Sequence, residues 1–271
     1  MTRLPTYFVS HGGGPWPWMK EQSNGAFDKL EASLQEMARS LPQKPKAILV
    51  VSGHWEEKTF TLSSGATPGM VYDYYGFPAH TYQVQYPAPG APELAKRIQA
   101  MLEQGGFKAV LDPERGFDHG TFTVMAPAFP EADIPVVQLS VRSDLNPKAH
   151  IEAGRLLAPL RDEGILIVGS GLSYHNLRLF NASAAVPSRA FDQWLQKTLT
   201  QSSPQDRELS LLQWDEAPHA RTAHPREDHF IPLMVVVGAA YEEAGTCVYH
   251  EDFFGNVAVS SFRFGPIGQD Q

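Results

Sequence analysis

Ala47-Ile48-Leu49-Val50-Val51-Ser52-Gly53-His54 is the stretch from which the fold is read. Its apolar residues follow one another without the alternation of a half-exposed strand. Such a run belongs to a strand buried on both faces, as in a parallel sheet. Ser52 and Gly53 close it, and a histidine follows. The same pattern recurs to either side. Tyr7-Phe8-Val9-Ser10 runs into His11, and Ile165-Leu166-Ile167-Val168-Gly169-Ser170-Gly171 is followed shortly by His175. Ligands of open α/β sheets gather outside the carboxyl ends of the strands. Imidazoles delivered to that edge can therefore meet in space, with His11 and His54 expected on adjacent strands. Imidazole is the commonest metal-binding side chain and titrates near neutral pH. The pattern predicts a metal site with an acid/base histidine beside it.

Working outward, strand-like segments fall near 5–10, 47–53, 59–64, 80–86, 108–112, 135–141, 165–170, 246–250 and 257–264. Phe27, Leu30, Leu34 and Met37 recur at helical spacing across 26–41, and residues 91–105, 147–161 and 188–201 show similar periodicity. Alternating β and α elements with right-handed crossovers predict an α/β three-layer sandwich around a mostly parallel, partly mixed central sheet. Residues 66–79, rich in Gly, Pro and Tyr, and 202–228, polar with several Pro and His, read as loops. Neither resembles an interdomain linker, so the whole chain, 1–271, reads as a single domain.

Composition narrows the function. A formal charge of −8 argues against a nucleic-acid surface, which needs clustered Lys and Arg. No stretch approaches the roughly 20 apolar residues of a membrane span, and Met1-Thr2-Arg3-Leu4-Pro5 leads straight into the first strand without room for a signal peptide. The expectation is a soluble cytoplasmic protein. The lone Cys247 excludes an intrachain disulfide and a cysteine-cluster zinc site, whereas the 10 histidines favour nitrogen and oxygen ligation of iron, zinc or manganese.

Each histidine has a plainer reading beside the functional one. His11 precedes Gly12-Gly13-Gly14 and could be incidental to a glycine turn. His54 could be a strand-end residue beside the solvated Glu56 and Glu57. His119 follows Asp118, which could orient the imidazole or cap the next helix. His175 could be an exposed loop residue. His224 and His229 flank Pro225-Arg226-Glu227-Asp228, and Pro232 fits a helix only in its first turn. A helix is therefore expected to start near His229 and leave it at the helix mouth, one of the pair serving as ligand and the other supporting it. His80, His150, His219 and His250 read as ordinary surface or core residues. Tyr72, Tyr74, Tyr75 and Phe77 could floor a ring-shaped pocket or simply pack their loop on the core. Trp16 and Trp18 are equally ambiguous, and Arg226 could meet a substrate carboxylate.

Ser10-His11-Gly12, Val51-Ser52-Gly53-His54-Trp55, Gly76-Phe77-Pro78, Tyr86-Pro87-Ala88-Pro89-Gly90, Gly116-Phe117-Asp118-His119-Gly120, Ile134 through Ser140, Gly169 through Asn176, and His224 through His229 form an ordered set. The set resembles the DODA-type extradiol aromatic ring-opening dioxygenases of the class III, LigB-like superfamily, and the resemblance spans essentially the whole chain. It implies a single LigB-like catalytic domain and a non-haem Fe(II) enzyme that opens catechols, 3,4-dihydroxyphenylalanine (DOPA) among them, with O2. Cleavage beside the diol would give a yellow muconic semialdehyde-type product. By motif, His11, His54 and His229 are implied as metal ligands, His175 as the acid/base and His119 as the contact to substrate or oxygen. The wider superfamily completes its triad with a carboxylate, so Glu227 and Asp228 stand as alternatives to His229. Zn²⁺ would also suit such a site in purified protein, with His175 as a fourth ligand. Two other functions could use these residues: a zinc hydrolase with His175 or Glu227 as base, and a non-catalytic binding protein. The presence of both His119 and His175 beside the implied ligands argues against the binding protein.

Overall fold

Consecutive residues of the first strand point into different layers. Thr6 Oγ1 donates to the Val236 carbonyl on one side of the sheet, whereas the Tyr7 hydroxyl meets Ser40 Oγ on the other. The computed structural model, which describes residues 2–268, thus has helices on both faces of one sheet. Its strands are β1 (Thr6–Ser10), β2 (Ala47–Glu57), β3 (Phe60–Ser63), β4 (Ala109–Asp112), β5 (Val136–Arg142), β6 (Ile165–Gly171), β7 (Gly245–Phe253) and β8 (Val257–Phe264). They lie in the order β4-β3-β5-β2-β6-β1-β8-β7. The central β5-β2-β6-β1 portion is parallel, while β8 runs antiparallel to β1 and β7, and β3 antiparallel to β5. This is the mixed, mostly parallel sheet expected from the sequence.

Helices α1 (Asp28–Arg39), α2 (Pro92–Gln104), α3 (His119–Ala128), α4 (Pro147–Leu157), α5 (Ala185–Gln201), α6 (Pro204–Leu212) and α7 (Pro232–Ala239) flank the sheet. One layer contains α1 packed on α3. In the other, α7 lies over β6 and β1, with α4 beside it. Every residue of β1 and β6 is buried, as is β2 from Ala47 to Gly53, which accounts for their uninterrupted apolar sequences.

Four expectations need correction. His11 and His54 do not end adjacent strands, because β6 runs between β1 and β2. His54 does not end its strand either: β2 continues to Glu57, with a break in register. Ser52 faces Ser140 while Glu56 faces the next residue, Val141, so Gly53, His54 and Trp55 are looped out of the ladder. Residues 80–86 form no strand. Ala79–Tyr82 is a 3-10 turn in which Thr81 bonds back to Pro78. The alternation seen there arises because Val84 and Tyr86 are buried along an extended segment outside the sheet. Finally, 202–228 is largely helical. Pro204 opens α6 behind a Ser203 cap, followed by a turn at Trp214–Glu216 and a short helix at Ala220–Ala223. Pro204, read as a loop residue, marks where a helix starts.

Candidate metal centre

Three crossings at the carboxyl edge of the sheet build the site. The His11 N–H donates to the Gly171 carbonyl, fixing the first imidazole at the end of β1. The looped-out turn of β2 projects His54. The chain entering α7 then lies across the end of β6, where the Leu172 N–H donates to the His229 carbonyl. That crossing needs glycine. A Cβ on Gly171 would stand 2.0 Å from the His229 oxygen, and one on Gly53 would stand 3.0 Å from the Asp228 oxygen. Pro232 at the first turn of α7 leaves His229 just before the helix, as its sequence predicts.

His54 Nε2 lies 3.2 Å from His11 Nε2 and 3.0 Å from His229 Nε2. The opposite edges of two of these rings face carboxylates: His229 Nδ1 is 2.8 Å from Asp228 Oδ2, and His54 Nδ1 is 3.2 Å from Asp73 Oδ2. An ionised carboxylate only accepts hydrogen bonds, so both Nδ1 atoms carry the hydrogen and the facing Nε2 atoms present lone pairs to one another. At 3.0 Å that arrangement is repulsive unless a cation lies between them. A carboxylate behind a ligating imidazole is the usual support of a metal-binding histidine. The donor set therefore fits a divalent metal, and the grouping of His11, His54 and His229 within 4.8 Å is compatible with one ion.

Burial, reinforced by neighbouring imidazoles, holds His11 and His229 well below the ordinary histidine pKa and pushes His175 down to about 4. Burial likewise lowers His119, partly opposed by Asp73. Burial alone would raise Asp73, but the hydrogen bonds from His119 and His54 outweigh it and lower its pKa. These histidines are neutral donors at neutral pH.

His175 stacks on His229, with ring centroids 3.5 Å apart and planes inclined by 15°. His119 sits 3.8 Å from the His54 ring centroid. Of the alternatives in the same segment, Glu227 pairs with Arg221 at 2.7 Å and Asp228 bonds to His229, so both carboxylates are already engaged. His224 does not support the cluster. It is fully buried, meets the Ser173 carbonyl at 2.9 Å and packs against Phe191 and Phe230. Asp118 caps α3 through the Thr121 N–H, and Asp73 takes the other role the sequence allowed it, orienting His119. The functional reading of the sequence missed Asp73 altogether.

His11, His54, Asp73, His119 and His175 line a cavity of about 720 Å³, and His229 lies behind His54 and His175. The cavity walls include Trp16, Phe27, Tyr74, Phe77, Leu172 and Phe254. Tyr75 also borders it, whereas Tyr72 and Trp18 pack against Phe122. Arg226 stands in a neighbouring recess and pairs with Glu56 at 2.6 Å. Among the described residues no helix is long and apolar enough to cross a membrane.

A mostly parallel α/β sheet with a histidine–aspartate cluster at its carboxyl edge defines a class of protein equipped to hold a metal ion. Residues 5–263 match the family described as the catalytic LigB subunit of aromatic ring-opening dioxygenase, and the chain belongs to that extradiol dioxygenase family. It is 41% identical over 264 residues to 4,5-DOPA dioxygenase extradiol of Beta vulgaris, covering 96% of each chain. With the Portulaca grandiflora protein of the same name it shares 39% identity, covering 97% of this chain and 96% of the relative. A crystal structure of an uncharacterized Escherichia coli K12 protein superposes with a TM-score of 0.76 at 31% identity, covering 97% of this chain and all of that one.

Proposed function

We propose that the protein is a non-haem Fe(II) extradiol dioxygenase that opens the ring of a catechol, DOPA or a close relative, with O2 to a semialdehyde. The whole chain, 1–271, would act as one catalytic domain. The observation that carries this reading is the convergence of the His11, His54 and His229 Nε2 atoms, with His11, His54, His119 and His175 lining an aromatic-walled cavity. Those three side chains would hold the metal. Fe(II) held there would supply the redox chemistry that ring opening by O2 requires.

The chain's own groups do the rest. His175, stacked on His229 and lining the cavity, takes a proton from the catechol hydroxyl and returns one as the ring opens. His119, with Nδ1 turned to Asp73, accepts a hydrogen bond from a catechol hydroxyl at Nε2. Trp16, Tyr74 and Phe77 receive the ring and exclude water. Zn²⁺ would fit the same nitrogens, with His175 recruited as a fourth ligand, but it offers no redox state.

The test loads metal-free protein with Fe(II), adds DOPA and simpler catechols without oxygen, then admits O2. Oxygen uptake with a yellow product is expected, and the zinc form should consume none. If several catechols with fresh Fe(II) give neither uptake nor colour, the reading fails.

A further inference from the structure

One carboxylate touches both halves of this site. Asp73 Oδ1 accepts from the His119 backbone N–H at 3.0 Å and lies 2.8 Å from His119 Nδ1, while Oδ2 faces His54 Nδ1 at 3.2 Å. His54 comes from the looped-out turn of β2 and His119 from the first residue of α3; their rings touch, and Asp73 is the group that hydrogen-bonds to both. The carboxylate is itself held in place. On one side of it the Val71 N–H donates to the Phe117 carbonyl, and the Tyr72 hydroxyl donates to the Val84 carbonyl. On the other, Tyr74 packs against His119, Phe77 and Tyr82. One backbone N–H and two imidazole Nδ1 atoms thus face its two oxygens.

We infer that Asp73 is a positioning residue that fixes His54 and His119 together. It holds the hydrogen of each on Nδ1, aiming His54 Nε2 at the metal and leaving His119 Nε2 for the cavity. The inference rests on the metal-centre reading above. It extends that reading by making metal affinity and the placement of His119 depend on one side chain. Asp73→Asn separates this role from simple packing. An amide of nearly the same shape offers only one acceptor oxygen, so it satisfies one imidazole and turns an N–H donor toward the other. Removing a carboxylate of this kind typically costs about 10–100-fold in metal affinity or activity.

The experiment uses Zn²⁺ alone as probe, by competition against a chromophoric chelator, with wild type, Asp73→Asn, His119→Ala and the double variant. Zinc bound at one equivalent by wild type tests the metal centre separately. Given that, Asp73→Asn is expected to weaken zinc about 10–100-fold in either background, acting through His54. Turnover measured at saturating Fe(II) should fall in Asp73→Asn but drop no further when His119→Ala is already present. Unchanged zinc affinity, or an equal additional loss of turnover in the His119→Ala background, would overturn the proposal. Nitrogen-labelled imidazole NMR of the wild-type zinc form decides the matter even if a variant does not fold. Hydrogens on Nδ1 of both His54 and His119 support it, and an unprotonated Nδ1 on either ring refutes it.

Discussion

His11, His54 and His229 each present one ring nitrogen to a common point, and losing any of them leaves two donors. Each single change to Ala is expected to strip the metal while far-ultraviolet circular dichroism stays unchanged. Metal analysis after dialysis checks this, and full occupancy in His229→Ala would move the third ligand to Asp228. His175 belongs to a different category because it stacks on His229 without joining the three-nitrogen group. His175→Ala is expected to keep Fe(II) and lose about 10²–10⁴-fold in turnover, the usual contribution of a positioned proton-transfer group. Wild-type turnover would remove it from the mechanism, and loss of metal would make it a ligand. His11, His54 and His175 were legible because each follows an apolar run, His229 because it precedes a proline that starts a helix, and His119 only as the partner of Asp118 between two glycines. Asp73 was not. It lies in a loop dominated by aromatics, and its bond to His119 spans 46 residues, so no local pattern reports it.

At the scale of elements, the site depends on how closely the chain entering α7 can cross the end of β6. Gly171→Ala would place a methyl 2.0 Å from the His229 oxygen, a backbone atom that can move only with the segment. The expected result is a loss of about 1–3 kcal/mol, typical of overpacking, together with weaker zinc binding. Gly69→Ala, where an added methyl meets nothing within 4 Å, is the control. Urea unfolding and a zinc titration report both quantities, and wild-type zinc affinity in Gly171→Ala would contradict the crossing argument. The central strands and the start of α7 were legible because burial on both faces and a proline at the first turn leave strong local marks. The segment at 80–86 misled because burial alternates along an extended chain whether or not a neighbouring strand pairs with it. Prolines and polar residues in 202–228 likewise read as a loop, although Pro204 and Ser203 are a helix start.

Across the whole molecule, placing β6 between β1 and β2 sets the distance between the two strand-borne ligands. That order is a long-range outcome with no signature in either strand's sequence. The fold also buries histidines away from the cavity. His150 is fully buried; Nδ1–H donates to the Asn146 carbonyl at 2.7 Å, and Nε2 accepts from the Arg142 N–H at 3.0 Å. Burial pushes its pKa down to about 4 from the ordinary 6.5. The folded protein thus holds it neutral while the unfolded chain protonates. Its contribution is complete above pH 6.5 and is lost as pH falls toward about 4, on the order of 3 kcal/mol across that window. Urea unfolding at several pH values should show His150→Gln losing less stability on acidification than wild type, and equal losses would contradict the assignment. The claim to which the sheet, the cavity and the three imidazoles all lead is ring opening by dioxygen. Isotopically heavy dioxygen tests it most directly, with the product trapped by borohydride before its aldehyde exchanges with water. Both heavy oxygen atoms are expected in the ring-opened product, and a ring-opened product carrying neither would contradict ring opening by dioxygen.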